Sequence, residues 1–489
     1  MEKKIRNVFS FLLILSLLGC MVGPNYRRPS IETPSSWRFE GKEAREVANA
    51  KWWEQFGDSV LDGLIETALK ENKDIKIAAA NVEDFMGRYV TTRAPLFPQI
   101  GSGASASRSR VTENAAAPIS KGTINPGNSF QIFLNANWEI DLWGKLRRAT
   151  EAARADLLST EEARRAVILT LVTSVASAYV NLRDLDLQLE IAKQTAKSRE
   201  GTYHLFQLRF GRGLISDLEM SQVKSEYERT LSTIPFIEKT IAQQENALSV
   251  LLGRNPGPVP RGKTIDDLIL PAVPAGLPSD LLTNRPDLRQ AEQDLISANA
   301  KIGVATSLYF PAISLTGSFG GASKDLSKLF SGPAMVWSYA AQLATPIFTA
   351  GAISGQVKSS KAVQREALVR YEQSIQTAFR EVEDALIDQN KSREQLEIET
   401  QEVATLHKYA HVARLRFDSG YTSYIEVLDA ERSLFNAELS RAETKGVLFH
   451  ALVNLYKAMG GGWVVEADRM TDRTTDSKPS TDGSTAFQE

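Results

Sequence analysis

Apolar and polar residues alternate with a period of two in several short segments of the chain. From Phe130 to Leu142 every second residue is apolar, and most of the residues between them are polar. The same alternation runs from Ile313 to Phe319 and from Trp337 to Leu343. Because successive side chains of a strand point to opposite faces, the pattern predicts two-faced β-strands. We expect four strands, around residues 98–110, 130–142, 311–321 and 335–348.

The rest of the chain mostly follows helical spacing. Ile168, Val172, Val175 and Tyr179 stand four and three residues apart, as in the apolar stripe of a coiled coil. Such a long helix cannot bury its stripe alone, so it needs helical neighbours. Pro235 lacks a backbone donor and predicts a kink or break in its helix. We expect helices over residues 60–93, 144–210, 218–252, 286–309, 352–417 and 425–459.

The chain contains an internal repeat. RFGRGLIS, which begins at Arg209, is related to RFDSGYTS, which begins 207 positions later at Arg416. The same offset aligns Gly144 with Gly351, Ala155 with Ala362, Val175 with Val382 and Gly253 with Gly460. Upstream, Phe97-Pro98 matches Phe310-Pro311 at an offset of 213. We predict a duplicated fold with repeats over residues 59–253 and 286–462, a Pro-rich connector over 254–285, and tip turns around 210–216 and 417–423.

The first residues carry the marks of an export signal. Basic residues up to Arg6 precede an apolar run from Val8 to Leu18, which is followed by Gly19-Cys20. The order Leu17-Leu18-Gly19-Cys20 is similar to a bacterial lipoprotein cleavage site, so we expect residues 1–19 to be removed and Cys20 to be acylated. An ordinary secretory peptide with an incidental cysteine is the alternative. Composition predicts an extended arm over 20–58 and a disordered polar tail over 463–489.

Two-faced strands are typical of outer-membrane barrels and also of half-buried sheets in soluble proteins. The export signal, and the lack of 18 consecutive apolar residues after Cys20, favour the membrane. Phe130, Trp138, Trp337 and Tyr339 would then face lipid. Four strands cannot close a barrel, because an open edge in lipid leaves backbone groups without partners. The chain must therefore oligomerise, as two copies around a small filled barrel or as three around a pore.

Other functions are not indicated by the composition or the motifs. A formal net charge of −2 gives no support to nucleic-acid binding. His407 and His411 stand one helical turn apart, but no third ligand lies near them in the sequence, so no metal site is expected. Gly101-Ser102-Gly103 lacks the third glycine of a phosphate cradle. No hydrolase motif is present, so we expect neither enzymatic activity nor a cofactor beyond the lipid on Cys20.

Four motifs are similar to those of the TolC-type outer-membrane efflux channels, and more narrowly to their lipoprotein branch. They are the export cysteine followed by VGPNYRRP, DLWGKLRR after a strand, NRPDLRQAE at the start of the second repeat, and SYIEVLDAER after its tip. The resemblance covers residues 20–462. It implies an α/β membrane channel, namely a homotrimer with a twelve-stranded β-barrel in the outer membrane, a twelve-helix α-barrel in the periplasm and a mixed equatorial domain. It also implies a Gram-negative host, a periplasmic adaptor and an inner-membrane pump.

The resemblance further implies a gate and a docking surface at the hairpin tips. The family's acidic gate residues correspond to Glu426 and Asp429, with Ile425 as an apolar neighbour. Some relatives lock the tip with a Tyr and an Arg, whereas this chain has Phe417 and Thr422 there. From the residues alone, the acids could instead be a solvated face near a helix start, and the tip residues plain turn residues. The expected adaptor contacts are Gly213, Leu214, Ser216, Gly420, Tyr421 and Ser423.

Two functions therefore fit the sequence. The first is a trimeric duct that passively conducts substrates from a pump and an adaptor to the cell exterior. The second is a lipid-anchored periplasmic adaptor or structural protein built from coiled-coil hairpins. They differ at the aromatic strand residues, which face lipid in a duct and face protein or water in an adaptor. The exported substrate is not indicated by any residue.

Overall fold

The structure is a computed structural model that describes residues 21–31, 34, 36–38, 51–112, 114, 124–271, 281–460, 463–465 and 467–468. The predicted signal peptide, the acylation site Cys20, and parts of the arm, the connector and the tail lie outside these residues. The chain divides into two compact units. The first holds residues 82–160 and 291–371 with the arm residues 21–30, and the second holds the rest.

A four-stranded antiparallel sheet dominates the first unit. The strands are β1 (Gln99–Ser109), β2 (Gly127–Ile140), β3 (Ala312–Ser323) and β4 (Met335–Ala344), in the order β1-β2-β3-β4. The four predicted strands are thus confirmed, two from each repeat. Within the described residues, β1 and β4 each pair on one side only, so both outer edges of the sheet carry unpaired backbone groups.

The register of the sheet separates an apolar face from a polar face. Leu134 lies opposite Phe319, which lies opposite Trp337, so these side chains share one face. Trp337 stacks on Tyr339 with ring centroids 5.7 Å apart. On the other face Asn135 lies opposite Ser318, whose hydroxyl bonds that of Ser338, and Gln and Thr residues flank them. The alternation in the sequence is therefore carried across β2, β3 and β4.

Seven helices of eight or more residues connect and extend the sheet within the described chain. The first repeat has α1 and α2 before its strands and a long hairpin, α3 and α4, after them. The second repeat has α5 before its strands and the hairpin α6 and α7 after them, with a single turn at Leu281–Asn284 before α5. Their bounds are α1 Ser59–Glu71, α2 Lys73–Arg93, α3 Lys145–Gly211, α4 Asp217–Leu251, α5 Pro286–Ser307, α6 Ala352–Asp418 and α7 Tyr424–Met459.

One helix prediction was wrong, and of the kink or break expected at Pro235 the break is absent. The helix expected over residues 60–93 is broken at Asn72, whose backbone leaves the helical region with ψ 136°. The side-chain oxygen of Asn72 accepts from the backbone of Asp74 and Ile75 at the start of α2, and its amide donates to the carbonyl of Leu251. In contrast, α4 runs through Pro235 without a break. Flanking helical bonds and side-chain packing are enough to keep the helix continuous there.

The N-terminal arm is bound to the first unit by a buried arginine. Arg148, 2% exposed near the start of α3, donates to the carbonyls of Val22 and Gly23 and to the side chain of Asn25. The amide of Val22 donates to the carbonyl of Trp143. An extended segment has no internal backbone bonds, so it must take them from the surface it crosses. We call residues 22–28 the strap.

The core of the second unit joins sequence-distant aromatic residues. Trp52 stacks on Tyr456 at 5.0 Å, and Trp53 packs edge-on against Trp463 at 5.1 Å. Trp463 and Val464 are buried, so the prediction of disorder from residue 463 onward was wrong at its start. One helix, α3, contains an 18-residue stretch that is apolar enough to cross a membrane by composition, and 56% of that stretch is buried inside the protein.

Candidate functional site

The two hairpin tips have the same backbone turn. In the first, Gly213 has φ 71°, and the amide of Leu214 donates to the carbonyl of Arg209. In the second, Gly420 has φ 78°, and the amide of Tyr421 donates to the carbonyl of Arg416. This is the left-handed helix end that glycine permits at little steric cost. The RFxxG repeat is therefore a helix-stop signal in both copies.

The predicted contact residues lie on the outside of these turns. Leu214 and Tyr421 are among the most exposed apolar side chains of the second unit. Ser216 caps α4 in a capping box, in which its hydroxyl accepts from the amide of Glu219 and the Glu219 carboxylate accepts from the amide of Ser216. Ser423 precedes α7 without a side-chain cap bond. The two tips thus offer apolar groups to solvent, which a partner could cover.

A small core holds the two tips to each other. Phe206 of α3 packs against Tyr424 of α7 at 4.3 Å and against Phe417 of α6 at 6.1 Å. The guanidinium of Arg209 lies 5.8 Å from both phenylalanine rings. Phe417 therefore makes an apolar contact in this core. Val223, Ala413, Val427 and Ala430 complete this tip core.

Two of the three predicted gate residues, Ile425 and Asp429, line a groove between the first turns of α4 and α7. The groove has a volume of about 550 Å³ and includes Ile425 and Asp429 on α7 and Gln222 on α4. The Asp429 carboxylate accepts from Arg432 at 2.8 Å, which balances its charge. Glu426 is exposed, and no ion pair is formed by its carboxylate within the described residues. The acid with an unbalanced charge at this tip is therefore Glu426.

A buried charge cluster behind the tip core was missed by the sequence reasoning. Arg199 of α3 donates to the Glu226 carboxylate at 3.2 Å and to the Thr230 hydroxyl on α4. Arg414 of α6 lies 3.6 Å from Glu431 of α7. Burial raises the pKa of Glu431, against the opposing effect of the two arginines, and lowers the pKa of Arg199.

This cluster links all four helices of the two hairpins, because it has members on each of them. Its signal was present in the sequence: Arg199 falls between Ala196 and Tyr203, inside the apolar stripe of α3. A charged residue at a stripe position indicates a buried partner. The same cluster includes Tyr424, whose pKa burial raises to about 12, so its hydroxyl stays protonated.

The aromatic residues predicted to face lipid lie on the apolar face of the sheet. Trp337 and Tyr339 on β4 are strongly exposed, while Phe130 and Trp138 on β2 are partly covered. The indole of Trp138 donates to the carbonyl of Leu96. Burying such a continuous apolar surface in another medium would be strongly favourable, because each Å² removed from water contributes about 25 cal/mol.

The histidine pair forms no metal centre in the part of the chain that is described. No group of three or more His, Cys, Asp or Glu side chains is arranged to hold a metal there. The ring of His407 instead pairs with Glu438 of α7 at 3.0 Å. The pair of histidines is thus a surface feature of the second hairpin.

The sequence profile of the outer membrane efflux protein family matches residues 64–254 and 277–461. The chain belongs to this family. The two matched segments correspond to two repeats of the kind found in the solved channel structures, and the chain is mostly helical with a small sheet. It is an outer-membrane efflux protein of a Gram-negative bacterium.

Named relatives cover almost the whole chain. The toluene efflux pump outer membrane protein TtgI of Pseudomonas putida is 36% identical over 92% of this chain and 97% of its own length. The cation efflux system protein CusC of Escherichia coli is 35% identical over 92% and 98%. A crystal structure of CusC superposes with a TM-score of 0.81 at 34% identity, over 90% of this chain and 100% of that one. The open-state MtrE channel of Neisseria gonorrhoeae superposes with 0.81 at 30% identity, over 91% and 99%.

Proposed function

We propose that this chain is the outer-membrane exit duct of a tripartite efflux system and that it works as a homotrimer. The observation that carries the proposal is the two-faced sheet with two unpaired outer strands. In lipid each unpaired backbone group costs several kcal/mol, so β1 of one copy must meet β4 of another. Three copies supply twelve strands, which enclose an aqueous pore, whereas two supply eight, which side chains fill.

The long hairpins continue the duct into the periplasm. Each copy contributes four long helices, α3, α4, α6 and α7, so three copies supply the twelve of an α-barrel. Conducted substrates would leave an inner-membrane pump, pass a periplasmic adaptor and enter at the tips. The exposed Leu214 and Tyr421, beside Gly213, Ser216, Gly420 and Ser423, support adaptor docking there. The lipid on Cys20 would add a membrane anchor to the barrel, and we propose no other cofactor.

The tips would form the gate of the duct. A threefold axis brings together Ile425, Glu426 and Asp429 from each copy. Arg432 balances the charge of Asp429, so the three Glu426 carboxylates would set most of the negative potential at the mouth. A ring of carboxylates in a narrow opening attracts cations and repels anions. The gate is thus expected to be cation-selective, with Glu426 the larger contributor.

A duct needs no substrate pocket of its own, and the varied names of the relatives support this proposal. Proteins of similar identity are named for toluene, cation and antibiotic efflux. We propose that this chain is likewise not an enzyme and that its pump selects the substrate. The alternative, a lipid-anchored periplasmic adaptor, would leave the apolar sheet face without lipid to cover it.

Conductance in planar lipid bilayers tests the duct. The processed, detergent-purified protein should give discrete single-channel steps, since a closed barrel offers a water-filled path. An adaptor of the same mass should give none. The native mass of the purified protein should be that of three copies. A stable monomer, or a trimer that never conducts under any voltage, would contradict the proposal.

The gate assignment has its own measurement. Glu426→Gln should shift the reversal potential in a salt gradient towards zero, because it removes an unbalanced charge from each copy. Asp429→Asn should shift it by a comparable amount, because it leaves the positive charge of Arg432 without its carboxylate. Glu219→Gln in the first tip is the matched control, since that carboxylate is held in a capping box. Equal shifts for all three variants would count against a gate at the second tip.

A further inference from the structure

The internal repeat makes two pairs of helices in the first unit equivalent. The offset of 207 relates α3 to α6, and Gly144 and Gly351 at their starts both have positive φ, 78° and 86°. The offset of 213 relates α2 to α5 through Phe97-Pro98 and Phe310-Pro311. Within the chain α5 lies against the first turns of α3. The equivalent pair, with the two copies of the repeat exchanged, is α2 and α6.

Arg148 and Gly303 fix how α5 lies on α3. A Cβ added at Gly303 would lie 2.8 Å from the Arg148 Cγ and 2.8 Å from the Val22 carbonyl oxygen. The side-chain amide of Asn299, one turn earlier on α5, donates to the carbonyl of Pro24. The small residue on α5 thus makes room for a large one on α3 and for the strap that Arg148 holds. Only glycine permits this closeness at position 303.

The equivalent positions have their sizes exchanged. Arg148 corresponds to Gly355 on α6, and Gly303 corresponds to Val90 on α2. Asn299, the residue that holds the strap, corresponds to Met86. Val90 is 58% exposed and Met86 47% exposed, and a Cβ added at Gly355 would meet no atom within 4 Å. In this pair the large residues, Val90 and Met86, are on the short helix α2, and the small residue, Gly355, is on the long helix α6.

We propose that α2 of one copy lies on α6 of the next copy in the register that α5 has on α3, with Val90 packed over Gly355. Met86 and Val90 then fill the space that the strap and the Arg148 side chain occupy in the equivalent contact. The subunit contact therefore holds no strap. This inference rests on the homotrimer proposed above and specifies how its subunits meet. The occupant of the exposed α6 face is a second copy of this chain.

Three basic residues lie along one face of α6 close to Gly355, namely Lys358, Lys361 and Arg365. None of them has an acidic partner within the described residues. Burying unpaired charges against lipid chains is costly, so these residues favour a protein partner over lipid on this face.

Disulfide cross-linking in the outer membrane tests the contact. The chain has one native cysteine, Cys20, at the predicted acylation site. In the double variant Val90→Cys/Gly355→Cys the two Cβ atoms should fall within the roughly 3.5–4.5 Å that a disulfide needs. After oxidation and denaturation, most of the protein should run as covalent dimer and trimer. Reduction should return it to monomer.

A control pair of cysteines and the native mass of the wild type distinguish failure of this contact from failure of the trimer. Val90→Cys/Val363→Cys moves the second cysteine two helical turns, about 12 Å, along α6 and should give no oligomer. A wild type of trimeric native mass whose Val90/Gly355 variant gives no covalent oligomer would overturn the inference and leave the duct standing. A monomeric wild type would overturn both. A linked band whose mass is not a multiple of this chain would show a different occupant.

A size-exchange series covers the case in which the cysteine variant folds poorly. Gly355→Leu should overfill the contact and lower the trimeric fraction by native mass. Adding Val90→Ala should restore part of it, because it removes bulk from the opposite face. Loss of the trimer in Gly355→Leu without recovery in the double variant, or no loss at all, would contradict the contact.

Discussion

The two hairpin tips share a turn but differ in what their side chains do. At the first tip the Glu219 carboxylate bonds the amide and hydroxyl of Ser216 and so closes a capping box. At the second tip the equivalent Glu426 leaves Ser423 without a side-chain cap. The first acid stabilises its own helix, and the second remains available to solvent. The two repeats therefore share the backbone of the turn, but only in the second repeat does the acid leave its own helix uncapped.

The phenylalanine of RFxxG differs in the same way. Phe417 packs into the tip core, whereas the equivalent Phe210 is 43% exposed. The packing partner Phe206 has no aromatic counterpart, because the equivalent position in α6 is Ala413. The tips therefore meet asymmetrically, with a large ring of the first hairpin inserted into the second.

The largest expected effect comes from removing that ring. Phe206, 1% exposed, should cost about 3–5 kcal/mol of tip stability as Phe206→Ala, because its cavity is enclosed by three helices. Phe210→Ala, the matched control four residues along the same helix, should cost less than about 1 kcal/mol. Hydrogen–deuterium exchange of peptides covering residues 200–215 and 420–435 measures both, and bilayer leak measures the effect on closure.

Equal protection in the two variants would mean that the tip core does not hold the hairpins together. Faster exchange confined to the first hairpin would contradict the insertion of Phe206 between α6 and α7. Phe206→Leu, which keeps most of the apolar volume, should lie between the wild type and Phe206→Ala.

The features that could be predicted from the sequence are those that depend on residues close together in the chain. Strand alternation from Phe130 and the glycine stops at Gly213 and Gly420 depend on a few adjacent positions, so they were found with nearly correct bounds. The family was found from short motifs. The gate and docking residues, which the family resemblance suggested, lie on the tips that the repeat located, and their roles stay predictions.

The features that were missed depend on partners far away in the chain. Asn72 breaks a helix because its amide reaches Leu251, 179 positions later. Trp463 reads as the start of a polar tail, yet it packs on Trp53. Arg148 looks like one of several basic residues until the strap is placed beside it. In each case local composition is compatible with two structures, and the tertiary contact decides between them.

A second difference between the repeats lies inside the helices. Asp184 of α3 is 6% exposed and lies against Gly446 of α7, where an added Cβ would be 3.3 Å from it, whereas its equivalent Lys391 on α6 is exposed. The amide of Gln188 donates to one carboxylate oxygen of Asp184. Burial, opposed by Gln188 and reinforced by Glu443, raises the pKa of Asp184 to about 6.

Asp184→Asn should therefore stabilise the second unit at neutral pH. A raised pKa means that the folded state binds the proton of Asp184 more tightly than the unfolded state does. The contribution of Asp184 to the free energy of unfolding of the wild type is therefore highest below pH 3.8 and falls as the pH rises to about 6. The loss at pH 7 is about 3 kcal/mol, which the neutral amide does not suffer. Thermal unfolding should show a higher Tm for the variant than for the wild type at pH 7, and no difference between them at pH 4. Lys391→Gln, the equivalent change, should leave Tm nearly unchanged at both values.

The smallest expected effect returns to the tips. Glu219→Ala removes one arm of the capping box and should destabilise the start of α4 by about 0.5–1 kcal/mol, because the amide and the hydroxyl of Ser216 lose their acceptor. Glu426→Ala should leave helix stability unchanged, since its carboxylate caps nothing, and should alter ion selectivity instead. Exchange of the amides at residues 216–220 and 423–427 separates the two changes from each other. If Glu426→Ala loosened α7 as much as Glu219→Ala loosens α4, both acids would be structural, and the second tip would have no charge left to act as a gate.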